Sequence, residues 1–552
     1  MNLDHFESRR SPVLGKKGMI ASSQPLATAA GLEILRAGGG AADAAVAVAA
    51  ALNVTEPTST GLGGDMFALY REGRSGRIEA LNGSGRCPAA LDLGRIEKAG
   101  LSGGLPPFHP WTVTVPGACA GWLDLVERHG RLPLATILAP AIALAEGGVP
   151  VAPTTSWFWK RGAARQLASA RNGIELTIEG RGPEPGETFR NPGLAGTLRE
   201  IVANGKKGFY EGAIAESIIS VMNESGGCLS AADLAAHRST WEDPIAIDYD
   251  GLRFHECPPN GQGLAALLAL GILRGFDLED LPPLSPERLH LEIEALRLAF
   301  ADARRYASDP AFAGPEAPER LRALLSEDYA KRRRAMIDPG KAVADRSCGS
   351  PLASSDTVYF CVVDGEGDAC SFINSNYMGF GTGIVPAGRG FSLQNRGHNF
   401  SLDPAHPNRL EPGKRPYHTI IPAMITRPSK EGPAQAEELF AVFGVMGGFM
   451  QPQGHVQVGI ALAEGRDPQG ALDLPRFCID VGGEGAAGPV LLEEGVPWKT
   501  AARLAELGHE VKPVAGWGRA VFGRGQVIAR SEDGTLWGGS DPRADGLAMT
   551  LV

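Results

Sequence analysis

Six consecutive residues, Val358-Tyr-Phe-Cys-Val-Val363, carry only apolar β-branched, aromatic or thiol side chains. Such a run, with no polar position to face water, predicts a buried strand. Asp364-Gly-Glu-Gly-Asp368 is turn material, and Ala369 to Ile373 returns as a second strand. The chain must therefore build its core around a hairpin. The text just before it has the opposite character: Lys341 to Asp356 breaks the preceding pattern, and from Asp345 onward it is polar, small and expected to be exposed. Thr357 stands at the junction.

Upstream, residues 1 to about 17 read as a polar tail. Pro25 to Arg36 predicts a helix stopped by Gly38-Gly39-Gly40, and Ala41 to Val54 an Ala-rich buried helix. Glu56-Pro57 and Thr60-Gly-Leu-Gly-Gly64 form a loop before a strand at Met66 to Tyr70. Residues 120 to 345 read as mainly helical. The clearest helix is His290 to Tyr306, with Ile293, Leu296, Phe300 and Ala303 on one face and charges on the other. The 73 glycines among 552 residues follow no Gly-X-Y period, so they signal tight turns rather than collagen.

Charge and cysteine usage narrow the function classes. A net charge of −10 argues against a protein that tracks nucleic-acid phosphates. The longest uncharged apolar run, Ala44 to Val54, is far short of the ~20 residues that span a bilayer. The N-terminal stretch lacks the apolar core of a secretory signal, and the eight cysteines are scattered singly with no CxxC pair. A cytoplasmic location is expected, with no nucleic-acid or membrane partner. Familiar motifs fail on inspection. His255-Glu256 is followed by Cys257-Pro258-Pro259 and cannot be HExxH; Asn82-Gly83-Ser84-Gly85 is not GxSxG; Gly38-Gly39-Gly40 lacks the Walker lysine and the Rossmann spacing.

Thr357 is a candidate of another kind. A threonine hydroxyl needs an adjacent base to act as a nucleophile. If the chain is cut between Asp356 and Thr357, the new α-amine titrates near 7.7 by its ordinary value, and one residue then supplies both nucleophile and base. Taken alone, a threonine opening a strand is ordinary. Gly447-Gly448 likewise has two readings. Between the strand-like Leu439 to Val445 and the helical run to Ala463, the pair is either a strand-end turn or a set of N–H donors for a developing oxyanion.

The text around these residues resembles the γ-glutamyltranspeptidase family of N-terminal-nucleophile hydrolases. The resemblance is carried by Asp356-Thr-Val-Tyr-Phe-Cys-Val-Val-Asp364, Asn374-Ser-Asn-Tyr-Met-Gly-Phe-Gly-Thr-Gly383, Leu393-Gln-Asn-Arg-Gly397, Lys414-Arg-Pro416 and Gly538-Gly-Ser-Asp-Pro-Arg543. Earlier matches are Gly39-Gly-Ala-Ala-Asp-Ala-Ala45, Glu56-Pro57, Gly61-Leu-Gly-Gly64, Phe300-Ala-Asp302 and Asp309-Pro310. It runs from about residue 18 to 550, with the motifs in the family's order. It implies an α/β fold, the four-layer αββα sandwich of the N-terminal-nucleophile hydrolases. It also implies self-cleavage before Thr357, giving segments 1–356 and 357–552 that together build one domain as a heterodimer, with higher assembly left open. Thr357 would be nucleophile and base, Ser375 its supporting hydroxyl, Gly447 and Gly448 the oxyanion donors. No metal or organic cofactor is required.

The departures from the family pattern fall in the substrate pocket. The family's substrate-gripping Arg is replaced by Ser84, with Arg86 two residues on; its Asn is Tyr377, its Gln and Asp are Arg396 and Asn399, its Ser-Ser pair is His418-Thr419, and the residue after the nucleophile is Val358. Losing a carboxylate at Asn399 removes the partner of an α-ammonium, and Arg396 adds a fork suited to a carboxylate. The pattern therefore looks like the amidohydrolase branch that includes oxamate amidohydrolase and cephalosporin acylase, acting on small amides through an acyl-enzyme and favouring carboxylate-bearing acyl groups. The alternatives are a γ-glutamyltransferase or glutathione hydrolase with a rebuilt pocket and, in a different class, a non-catalytic binding or structural member.

Overall fold

The hairpin lies in the middle of an antiparallel sheet. In a computed structural model describing residues 10–343, 357–429, 437–480 and 488–552, Val358–Val363 pairs with Ala369–Ser375 on one side and with Met19–Ser22 on the other. Asp65–Arg71, Ile78–Gly83 and Thr240–Glu242 extend the sheet at one edge and Leu547–Thr550 at the other, giving seven strands. A second seven-stranded antiparallel sheet runs Val13–Gly15, Leu536–Ser540, Arg524–Arg530, Glu437–Met446, Ala423–Pro428, Leu252–Glu256, Ile245–Tyr249. The sheets pack face to face, the Val358–Ser375 hairpin lying on Glu437–Met446 and Arg524–Arg530. Gly444 permits one close approach, since a Cβ there would lie 2.5 Å from the Tyr359 ring.

Helices cover both outer faces. Every residue of Ala41–Thr55 is buried, between the first sheet and the helices Pro25–Arg36 and Leu134–Gly147. Its small side chains allow that depth: Gly31 on the neighbouring helix meets it so closely that a Cβ would lie 2.5 Å from Val48. Gly263–Leu273 and Met450–Ala463 cover the second sheet, and Pro286–Tyr306 packs outside Gly263–Leu273. The result is the αββα arrangement. Within the hairpin, Phe360 and Phe372 are cross-strand partners whose rings stack at 4.8 Å, a pairing worth about 0.5–1.5 kcal/mol beyond its burial.

The stretch 120–345 is mainly helical, as expected, and is interrupted by short strands that include Thr240–Glu242, Ile245–Tyr249 and Leu252–Glu256. Their signal was legible: Asp250 and Gly251, at φ 48° and 70°, form the Asp-Gly hairpin turn between alternating residues. The charged face of Pro286–Tyr306 is largely buried as well. Arg288, Glu292, Glu294 and Arg297 are buried, and the charges are answered inside the protein, as in Arg288–Glu292 at 2.9 Å and Arg288–Glu464 at 2.6 Å. The stretch expected to be exposed before Thr357, including Asp356, falls at 344–356, outside the described residues.

Candidate active site

Thr357 leads directly into the central strand and is fully buried. The register pairs Val358 with Asn374, which places Ser375 beside the threonine. Their hydroxyl oxygens are 3.1 Å apart, and the Tyr377 backbone N–H donates to Ser375 Oγ at 2.8 Å. The chain then makes a sharp bend. Tyr377 itself sits at φ 80°, an uncommon conformation for a bulky residue. Gln166 supports this loop from another helix, donating through Nε2 to the carbonyls of Met378 at 2.5 Å and Gly381 at 2.6 Å. It lies in a π-helical turn, Ala163–Leu167.

Gly447 and Gly448 fall between Glu437–Met446 and Met450–Ala463, at φ 130° and 61°. Only glycine takes both conformations without strain. The pair turns the chain from the second sheet into a helix whose first-turn amides bond back to it, Met450 N–H to Gly447 O at 3.0 Å and Gln451 N–H to Gly448 O at 3.2 Å. This is a strand–turn–helix corner of the kind that presents backbone donors to an anion.

The third component is a buried cation. Arg396 opens the short 3-10 turn Arg396–Asn399 and has no exposed surface. Its Nη1 donates to Thr419 Oγ1 at 2.7 Å, and its guanidinium carbon lies 4.3 Å from the Tyr377 ring centre. The Tyr377 hydroxyl donates to Asn399 Oδ1 at 2.6 Å, and Asn399 Nδ2 donates to the Tyr417 carbonyl at 3.1 Å. Among the described residues, Arg396 Nε and Nη2 have no hydrogen-bond partner. Burial pulls its pKa down to about 10, against the attraction of Asp65, so it remains a cation at neutral pH.

His418 is next to this cation and shares Asp65, with Nε2 3.0 Å from Asp65 Oδ2. Burial, and then the nearby Arg396, push its pKa down to about 3 despite the Asp65 contact. The imidazole is therefore neutral at pH 7. Asp65 also accepts from Gly85 N–H at 2.8 Å and Gln394 Nε2 at 3.0 Å.

Hydrogen bonds and the ring contact thus connect Thr357, Ser375, Tyr377, Arg396, Asn399 and Thr419, with His418 adjacent. Arg86 is engaged elsewhere: its Nη1 donates to the Arg238 carbonyl at 3.1 Å, beside Arg415, whose Nε donates to the Ser84 carbonyl at 3.1 Å. Two site residues were missed from the sequence. Asp65 reads there as the residue before a strand. Gln262, in Pro258-Pro-Asn-Gly-Gln262, reads as turn material ahead of an apolar helix. Its buried amide donates to the carbonyls of Thr419 and Gly448.

A threonine heading the central strand of an αββα sandwich, with a hydroxyl partner on the next strand, fits the N-terminal-nucleophile hydrolase class. The family model described as Gamma-glutamyltranspeptidase matches residues 27–551. The chain belongs to the γ-glutamyltranspeptidase family and is an enzyme of that family. It is 36% identical over 552 residues to the glutathione hydrolase-like YwrD proenzyme of Bacillus subtilis (strain 168), covering 98% of this chain and 99% of the relative. It is 34% identical to the oxamate amidohydrolase proenzyme of Klebsiella pneumoniae, covering 96% and 98%. Among solved structures, cephalosporin acylase from Bacillus halodurans superposes with a TM-score of 0.90 at 43% identity, covering 100% of this chain and 98% of that one.

Proposed function

We propose that the protein is a self-processing N-terminal-threonine amidohydrolase for small amides whose acyl group carries a carboxylate. The nucleophile assignment is supported by the place of Thr357, buried at the start of the central strand with its hydroxyl 3.1 Å from that of Ser375. In the precursor, the Thr357 hydroxyl attacks the carbonyl of residue 356. The peptide bond is exchanged for an ester, which water opens to give a free acid and a free Thr357 α-amine.

In turnover the Thr357 hydroxyl attacks the substrate amide carbon, and its proton passes to the α-amine. The N–H groups at Gly447-Gly448 receive the negative charge on the carbonyl oxygen. Collapse breaks the C–N bond, and the leaving nitrogen takes the proton from the α-ammonium. Water, with the α-amine again as base, hydrolyses the ester and restores the hydroxyl.

The substrate class is supported by Arg396. A buried guanidinium whose Nε and Nη2 have no partner among the described residues presents a side-on edge that can donate to both oxygens of a carboxylate. Asn399, neutral, cannot balance an α-ammonium there. We further propose Arg396, Tyr377, Asn399 and Thr419 as the wall of the acyl pocket, with Arg86 and His418 outside direct contact.

Two measurements test the proposal. N-terminal sequencing of the purified protein should find a chain beginning at Thr357, and Thr357→Ala should remain one folded, inactive chain. A start elsewhere defeats the nucleophile assignment. Glutaryl and oxamate-like amides should be hydrolysed about one to two decades faster than γ-glutamyl amides, from the cost of setting an ammonium near Arg396 after screening. Equal or better γ-glutamyl cleavage would make the protein a glutathione hydrolase of this family instead.

A further inference from the structure

One side-chain amide joins the two ends of the proposed pocket. Gln262 is fully buried at the head of the helix Gly263–Leu273. Its Nε2 carries two hydrogens, and both have acceptors: the Thr419 carbonyl at 2.6 Å and the Gly448 carbonyl at 2.8 Å. Thr419 is the residue whose hydroxyl holds Arg396. Gly448 belongs to the glycine corner. Gln262 is itself fixed, its Oε1 accepting from the Tyr417 hydroxyl at 3.3 Å and its backbone N–H donating to the His418 carbonyl at 2.9 Å. A parallel tie runs from Ile421 N–H to Gln451 Oε1 at 2.9 Å. The anchor segment and the glycine corner are thereby fastened to one another, although they arise from different parts of the chain.

We infer that Gln262 is a specificity-determining residue that sets acyl chain length, because it fixes the separation between the Arg396 fork and the oxyanion donors. The inference rests on the carboxylate reading given above. An acyl chain held by its carboxylate at one end brings its amide carbonyl to the donors only when its length matches that separation. Removing or adding one methylene displaces the carbonyl by about one ångström, and such a misplacement costs up to about a hundredfold in rate. Gln262 does not touch the reacting atoms in this arrangement; it acts by positioning the groups that do.

The test is a chain-length profile. The probes are the anilides of oxalyl, malonyl, succinyl, glutaryl and adipyl monoacids, with butyryl anilide as the uncharged control. Steady-state kcat/KM is measured for processed wild type, Gln262→Ala and Gln262→Glu, each confirmed as two chains. Wild type should favour one length over its neighbours by about tenfold or more. Gln262→Ala, lacking both donors, should flatten that ratio to about threefold or less. Gln262→Glu keeps the shape but sets carboxylate oxygens against two carbonyls, and should move or flatten the optimum; it also serves if the alanine variant does not fold. A general weakening of the fold lowers every probe by the same factor, so unchanged ratios in both variants overturn the inference. A wild type selective for carboxylates but indifferent to length overturns the inference alone. A wild type that prefers butyryl anilide overturns the carboxylate reading and the inference with it.

Discussion

Arg396 and Arg543 are both buried to the last ångström, yet their surroundings are opposite. Arg543 sits among acids: its Nη2 is 2.5 Å from Glu493 Oε2, its Nε donates to Glu493 Oε1 at 2.7 Å, and its Nη1 donates to Asp541 Oδ1 at 3.0 Å. Neighbouring Arg476 takes the other Asp541 oxygen at 2.8 Å. Burial pulls the Arg543 pKa down, but Asp541 and Glu493 outweigh it and the net shift is upward. Among the described residues no carboxylate bonds to Arg396: its Nη1 donates to a threonine hydroxyl, its guanidinium lies on an aromatic face, and its pKa moves down. A buried cation answered by carboxylates belongs to the fold. One left with an open edge is costly unless something answers it, and this supports the ligand role proposed for Arg396.

Replacing each arginine by methionine breaks the comparison at both ends. Arg543→Met takes one of two arginines from each acid, leaving Glu493 with Arg519 at 2.8 Å and Asp541 with Arg476 at 2.8 Å, and should cost about 3 kcal/mol of stability, read as a fall in unfolding temperature, with activity per folded molecule retained. Arg396→Met should do the reverse. Its unfolding temperature should hold or rise, while kcat/KM for a glutaryl amide falls about two decades, the loss of a buried charge-assisted hydrogen-bond pair. Parallel losses of stability in both variants would erase the distinction.

His237 sharpens the point for a base. It is buried, neither ring nitrogen has a partner among the described residues, and its ring stacks on Tyr210 at 5.5 Å. Burial, then Arg415 and Arg86, hold its pKa down at about 3. The unfolded chain therefore binds a proton near pH 6.5 that the folded one refuses until about pH 3, so this residue lowers stability as pH falls through that window. The loss at pH 5 is roughly 2 kcal/mol. His237→Phe should keep the stack and remove that loss, seen as a flatter decline in stability between pH 6.5 and 4. An unchanged decline would show that His237 is not the group responsible. The smallest effect expected is a partial return of specificity: Arg396→Gln with Asn399→Asp should move the preference toward γ-glutamyl donors by about one decade. The pH profile adds a direction. Activity should fall as the Thr357 α-amine gains its proton, near 7.7 for an ordinary amine, and His418, neutral down to about pH 3, should leave that limb where it is when replaced by Asn.

Much of the architecture was legible where one periodicity dominated. The run at Val358–Val363 and the alanines of Ala41–Thr55 have one comfortable environment, and they occupy it. Short strands such as Ile245–Tyr249 were hidden because surrounding helices set the local average, and only the Asp-Gly turn gave them away. In the candidate site, Thr357, Ser375 and the glycine pair were singled out from motif text. Whether Arg396 had a carboxylate partner was not, because pairing depends on what the fold brings from distant positions. For the same reason Gln262 looked like punctuation: the carbonyls its amide bonds to are 157 and 186 residues away.

Each sheet is woven from strands on both sides of position 357. In the first, Val358–Val363 lies against Met19–Ser22, and Ala369–Ser375 against Asp65–Arg71; in the second, Ala423–Pro428 lies against Leu252–Glu256. If the chain is cut before Thr357 as proposed, the two polypeptides are interleaved rather than docked. Separating them means tearing hydrogen-bonded ladders and opening both hydrophobic layers at once, so subunit exchange should be as slow as global unfolding. Dilution alone should not dissociate the enzyme, and mature segments produced separately should reassemble only by folding together.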